Sequence, residues 1–231
     1  MIFFDLLFPK ICLGCQKKGY YFCPSCISKI KLIEKQICPV CQKYSPFGQT
    51  HRFCQTKWSI DGLFSVFSYQ GIIREAIHQL KFKYVTDLTE ELFNIIVTSL
   101  DKSDHFDLMK QYIQVKKPVL ISVPLYWYKK NYRGFNQVEI FGEKLAKFWG
   151  LEFRRDVLVR SKFTQPQFGL GKKVRKKNIE NAFSVLSNIH SPLFNLLLID
   201  DIWTTGATLK TCGSLLKKAG VKKVWGLTLA R

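Results

Sequence analysis

Seven of the eight cysteines in this 231-residue chain lie before residue 55, and six of them form pairs with two residues between. The pairs are Cys12/Cys15, Cys23/Cys26 and Cys38/Cys41, and His51-Arg52-Phe53-Cys54 repeats the spacing with histidine in first place. A two-residue spacer lets both side chains of a tight knuckle converge on one metal ion. Four such hooks supply eight ligands, enough for two tetrahedral sites. Residues 10–58 are too polar and too few to bury a core, so metal would supply the missing folding energy. Disulfides fit poorly where no export signal is seen. A thioredoxin-like redox pair would need a βαβ setting that is absent around these cysteines. The expectation is two structural zinc ions in closed coordination. Sequential pairing closes the shorter loops, placing Cys12, Cys15, Cys23 and Cys26 at one ion and Cys38, Cys41, His51 and Cys54 at the other. An interleaved arrangement would join hooks farther apart.

The opening residues, Met1 to Lys10, are apolar but have no basic flank, carry Asp5 and run straight into the first hook. They read as a short docking helix, not a targeting signal. No apolar run approaches the roughly 18 residues of a membrane span, and a cytoplasmic protein is expected. The net charge of +19, from 36 Lys and Arg against 17 Asp and Glu, makes polyanions plausible partners. A simply solvated basic surface is the plainer account.

From Asp61 the punctuation changes. Residues 62–69 alternate like a strand, and Ile73, Ile77 and Leu80 share one helical face after Gly71. Leu88 to Leu100 reads as a second helix, and 101–117 as a helix end plus loop. Val119 to Pro124 is a short buried strand, Val138 to Trp149 a helix closed by Gly150, and Leu196 to Ile199 another strand. Leu209 to Ala219 is a helix ended by Gly220, and Val224 to Leu229 a last strand. Strands alternating with crossover helices predict an α/β fold with a mostly parallel sheet. Two units are expected: a zinc-binding module at 1–58 and an α/β domain at 59–231. Cys212, far from the hooks, reads as a small buried side chain.

Asp200 to Thr208 is the segment richest in chemistry. An apolar strand delivers Asp200 and Asp201, followed by Thr204, Thr205, Gly206, Ala207 and Thr208 at the start of a helix. Gly206 lets backbone approach a ligand, and the turn amides with the helix N-terminus form an anion site. The adjacent acids suit a sugar diol or its metal ion. A ribose carrying a phosphate satisfies every part. An ordinary loop with capping threonines leaves the paired acids at a strand end unexplained.

This segment resembles the phosphoribosyl-pyrophosphate (PRPP) motif of type I phosphoribosyltransferases. Together with the hooks, it makes the chain similar to the ComF/ComFC family of bacterial competence proteins, with a double zinc ribbon before a phosphoribosyltransferase-like domain. Other matching segments are Leu6-Leu7-Phe8-Pro9, His78-Gln79-Leu80-Lys81-Phe82, Val123-Pro124-Leu125, Arg133-Gly134-Phe135-Asn136-Gln137, Gln165-Pro166-Gln167, Asn181-Ala182-Phe183 and Leu229-Ala230-Arg231. The resemblance implies that Asp200 and Asp201 contact the ribose hydroxyls and that Thr204 to Thr208 hold the 5′-phosphate. Arg133 would face the pyrophosphate, and magnesium would travel with PRPP. It also implies a part in DNA uptake and transformation, with an unidentified acceptor for any transfer and with other competence or DNA-processing proteins as partners. The chain departs from the family at His51, where cysteine is usual, and at Tyr126 and Lys129, where histidine and arginine are usual.

Between Arg154 and Lys177 stand nine Lys or Arg residues and one acid, Asp156, with Phe153, Phe163 and Phe168 interleaved. Two functional readings compete with a solvated face. The stretch closes over pyrophosphate, or it tracks single-stranded DNA with aromatic stacking.

Overall fold

The structure is a computed structural model that describes residues 9–82, 86–161, 182–186 and 195–231. Residues 1–8 of the opening helix expected over Met1 to Lys10, the Gln165-Pro166-Gln167 segment and the run Lys172 to Lys177 lie outside the described residues.

Five strands form one parallel sheet. They are β1 (Gly62–Phe67), β2 (Val119–Ser122), β3 (Phe153–Arg154), β6 (Asn195–Ile202) and β7 (Lys223–Ala230), in the order β1-β7-β6-β2-β3. A short antiparallel ribbon pairs β4 (Leu158–Arg160) with β5 (Phe183–Val185). The helices are α1 (Pro24–Ile27), α2 (Gly71–Phe82), α3 (Thr86–Lys102), α4 (Asp107–Lys116), α5 (Trp127–Arg133), α6 (Gln137–Trp149) and α7 (Ala207–Lys218).

Side chains alternate across the sheet as a period of two requires. On β6, Leu197 and Ile199 join the core beneath α2, α3, α4 and α6, while Leu196 and Leu198 face the core under α7 and the ribbon. Both sets are fully buried, which is why β6 reads as a continuous apolar run. The helices that follow β2 and β6 therefore lie on opposite faces. These two strands are neighbours, so the sheet's topological switch point falls between their carboxyl ends, where such folds open a ligand crevice.

The segment 101–117 differs from its expected loop. Asp107–Lys116 is helical, with Met109 and Ile113 buried one turn apart, and polar residues around these two anchors hide the periodicity. Helix α5 and the two-residue β3 are likewise additions that sequence patterning passes over, being short and rich in charged and aromatic residues.

The N-terminal segment is built onto the sheet's edge. Gln36 clamps the backbone of Ser65 on β1, donating from Nε2 to its carbonyl at 3.0 Å and accepting its N–H at Oε1, also at 3.0 Å. Leu32 and Gln49 form antiparallel bridges to Phe67 and Gly62. An otherwise open strand edge is thus covered. Glu91 on α3 accepts the backbone N–H groups of Tyr21 and Phe22, and Cys12, Phe22, Cys23 and Cys26 enter the main core.

Candidate functional site

The eight hook residues come together as two clusters, Cys12–Cys15–Cys23–Cys26 and Cys38–Cys41–His51–Cys54, each with its ligand atoms within 4.8 Å of one another. This is the sequential pairing. The first hook of each cluster follows one backbone design. Cys12 N donates to Lys17 O and Cys38 N to Lys43 O, while Gln16 N and Gln42 N return to the carbonyls of Cys12 and Cys38. Gln16 and Gln42 both take φ 63°. The repeat is legible in Ile11-Cys12-Leu13-Gly14-Cys15-Gln16-Lys17 against Ile37-Cys38-Pro39-Val40-Cys41-Gln42-Lys43, a signal that the cysteine spacing alone overlooks.

Both clusters fit zinc. Backbone N–H groups of Cys23 and His51 point at the sulfurs of Cys12 and Cys38. Burial pushes the Cys26 thiol up to about 12 and Cys54 to about 11. The Ser25 hydroxyl draws Cys23 down to about 6. His51 donates from Nε2 to the Tyr44 carbonyl at 3.0 Å, leaving Nδ1, 3.4 Å from the Cys41 sulfur, as the ligand atom. Such an outer hydrogen bond fixes the tautomer that a metal needs. Four protein ligands per cluster close the coordination, as structural zinc requires.

The second constellation lies at the carboxyl edge of the sheet. Strand β6 stays paired with β7 through Asp200 and Ile202, so both acids are held by the ladder and do not sit on a loose loop. After the turn at Trp203–Gly206, α7 begins. Gly206 takes φ 71°, and a Cβ there would lie 2.2 Å from the Trp203 ring. Only glycine allows this turn to close over the indole. Thr205 Oγ1 accepts from Ala207 N, and Asp200, Thr204, Thr205, Gly206, Ala207 and Thr208 line one small pocket.

Asp201 Oδ2 receives Lys81 Nζ at 3.0 Å and Gln137 Nε2 at 3.2 Å. Asp200 Oδ1 accepts the Asp201 N–H at 2.9 Å. Burial, and then the charge of Asp201, raise the Asp200 carboxyl well above the usual range. Arg133, at the end of α5, is lowered by burial and raised by the charge of Asp201. Arg160 on β4 is lowered by burial, with the nearby Asp200 acting against that shift. Lys81 is thus paired directly with Asp201, while Arg133 and Arg160 feel the charges of Asp201 and Asp200. Asn136 fixes this wall by capping α6 through Val138 N and donating to Val123 O.

Asp200 and residues 204–208 thus line one pocket, Asp201 follows Asp200 on the strand, and Arg133 feels the charge of Asp201. Lys81, Gln137 and Arg160 complete the constellation, although local chemistry gave no reason to group them. In the sequence, Lys81 and Gln137 stand out only as parts of segments that match the family.

An α/β protein with a parallel sheet, a small pocket where β6 gives way to α7 and two clusters that fit zinc is thereby defined. Residues 3–56 match the family model described as a double zinc ribbon domain. The chain is 30% identical over 226 residues to competence protein F of Haemophilus influenzae, covering 95% of this chain and 90% of that protein. It is 29% identical to competence protein ComFC of Bacillus subtilis, covering 90% and 83%. It is 25% identical to the DNA utilization protein YhgH of Escherichia coli K12, covering 96% and 98%. The chain belongs to the competence protein F/ComFC family. Among solved structures, it is similar to adenine phosphoribosyltransferase of Leishmania tarentolae at a TM-score of 0.30 and 14% identity, over 57% of this chain and 74% of that one. No helix among the described residues is long and apolar enough to cross a membrane.

Proposed function

We propose that this protein binds PRPP with magnesium at the switch point between β2 and β6 and serves DNA uptake or transformation in the cytoplasm. The observation that carries the reading is the placement of Asp200 and Asp201 on a paired strand beside the glycine turn that opens α7. The acids would hold the ribose hydroxyls, while the amides and hydroxyls of 204–208 would hold the 5′-phosphate. Arg133 would neutralise pyrophosphate. Magnesium would supply further charge neutralisation when bound, with the paired acids as its nearest carboxylates. Where transfer to an acceptor occurs, the C1–O bond to pyrophosphate breaks as the acceptor bond forms, and these cations stabilise the departing charge.

The two units, 1–58 and 59–231, would then divide the work, the zinc ribbon bracing the edge of a sheet that binds the ligand. Titration calorimetry with Mg²⁺-PRPP tests the assignment. Wild type should bind, and Asp200→Asn with Asp201→Asn should not. Unchanged affinity in the double variant would refute it.

A second reading is a single-stranded-DNA-binding competence factor whose phosphoribosyl site senses PRPP without turnover. The +19 charge and the aromatic surface of α5 favour a nucleic-acid partner. Pyrophosphate release in the presence of candidate acceptors separates the enzyme from the sensor.

A further inference from the structure

Helix α5 exposes more aromatic surface than a seven-residue helix needs for packing. Trp127 is 58% exposed, Tyr128 56% and Tyr132 81%. Its sequence, Trp-Tyr-Lys-Lys-Asn-Tyr-Arg, contains three basic residues and no acid. The Trp127 and Tyr128 rings meet edge to face, at 6.0 Å and 84°, so the two rings are not stacked on one another. Tyr126 adds a fourth ring, 5.6 Å from Trp127. Tyr128 and Tyr132 stand four residues apart, hence on one side of the helix and about 6 Å apart along its axis.

We propose that this face of α5 is a stacking platform for unpaired bases of a single-stranded nucleic acid. The inference rests on the nucleic-acid reading above and assigns it a surface. Aromatic faces take any base, and neighbouring cations follow the phosphates, so the platform recognises single strands with little regard to sequence. A duplex keeps its bases stacked and offers them no face. A membrane surface would favour aliphatic side chains beside the rings, and α5 has none. Because Arg133 ends the same helix and senses Asp201, a strand lying on α5 would run past the mouth of the phosphoribosyl site.

The test compares wild type, Tyr128→Ala/Tyr132→Ala and Tyr128→Phe/Tyr132→Phe. Each is titrated with a fluorescent oligothymidine, with the matching duplex and with Mg²⁺-PRPP, and sized by light scattering. Both tyrosines are exposed, so neither variant should lose its fold. The alanine pair should weaken single-strand binding by roughly tenfold or more, the phenylalanine pair should restore it, and PRPP binding should not change. Single-strand binding by wild type that survives the alanine pair would overturn the surface and leave the nucleic-acid reading standing. Absence of binding by wild type at low salt would overturn both, whatever the PRPP result. A wild-type dimer that the alanine pair dissociates would show that α5 meets a second copy of the chain.

Discussion

Gln42 donates from Nε2 to the carbonyl of Thr205 at 3.4 Å, so the turn closing the second zinc knuckle rests on the turn proposed to hold a phosphate. The contact depends on the knuckle's geometry. Gln42 sits at φ 63° directly after Cys41, with its N–H returned to Cys38. Lys210 Nζ also reaches Thr205 O, at 3.5 Å. Zinc at this cluster would therefore brace the phosphate turn as well as fold the ribbon.

Stripping the second cluster should accordingly weaken Mg²⁺-PRPP binding even though no metal ligand touches the ligand pocket. Cys41→Ser should lower affinity and raise hydrogen exchange across 203–208, while Cys15→Ser in the other cluster should leave both nearly unchanged. Gln42→Ala removes the contact but keeps the metal. The loss of one exposed hydrogen bond, about 0.5–1.5 kcal/mol, predicts a twofold to tenfold weaker complex at full zinc content. Equal affinity in all three variants would mean that the turn is self-supporting.

The metal count gives a second check. Elemental analysis should find two zinc ions per chain. His51→Ala should lose one of them, whereas His51→Cys should retain both, because a thiolate serves the same tetrahedral site. Retention of two ions by His51→Ala would remove histidine from the ligand set.

The proposed division at residue 58 predicts how the pieces would behave apart. Gln36 satisfies both backbone groups of Ser65, and the bridges at Leu32 and Gln49 shield the rest of β1. Gln36→Ala would leave two buried backbone groups without partners, a cost of about 2–4 kcal/mol readable as a lower denaturant midpoint. Residues 59–231 alone would expose the β1 edge and should self-associate. A monomeric fragment as stable as the whole chain would show that the ribbon contributes nothing to the sheet.

What could be read from sequence was what is local. The hooks, the paired acids and the glycine turn each carry their chemistry within a few residues, and the ligand pairing followed from loop length. Gln16 and Gln42 mark a repeated knuckle, but its meaning rests on a positive φ that residue type does not announce. Lys81 and Gln137 reach Asp201 from α2 and α6, so their part in the site depends on how those helices cross the sheet's carboxyl edge. Helix α4 stayed hidden because just two of its residues, Met109 and Ile113, are buried.

Asp200 gives a prediction in pH. Burial and the charge of Asp201 raise its folded-state pKa above the ordinary carboxylate value. The unfolded chain therefore loses this proton at lower pH than the folded chain does. Stability from this group is complete below the unfolded value of about 4 and is lost as pH rises through the folded one. Asp200→Asn cannot ionise and escapes the loss. The variant should melt a few degrees higher than wild type at neutral pH, and the advantage should vanish near pH 4. The same variant should bind Mg²⁺-PRPP poorly, a stability gain set against function of the kind found where like charges are held together for a ligand. Thermal melts of both proteins across pH 4–8 decide it. A variant less stable than wild type at neutral pH would show that the Asp200 carboxylate is needed by its own fold, through its bond to Asp201 N and its proximity to Arg160.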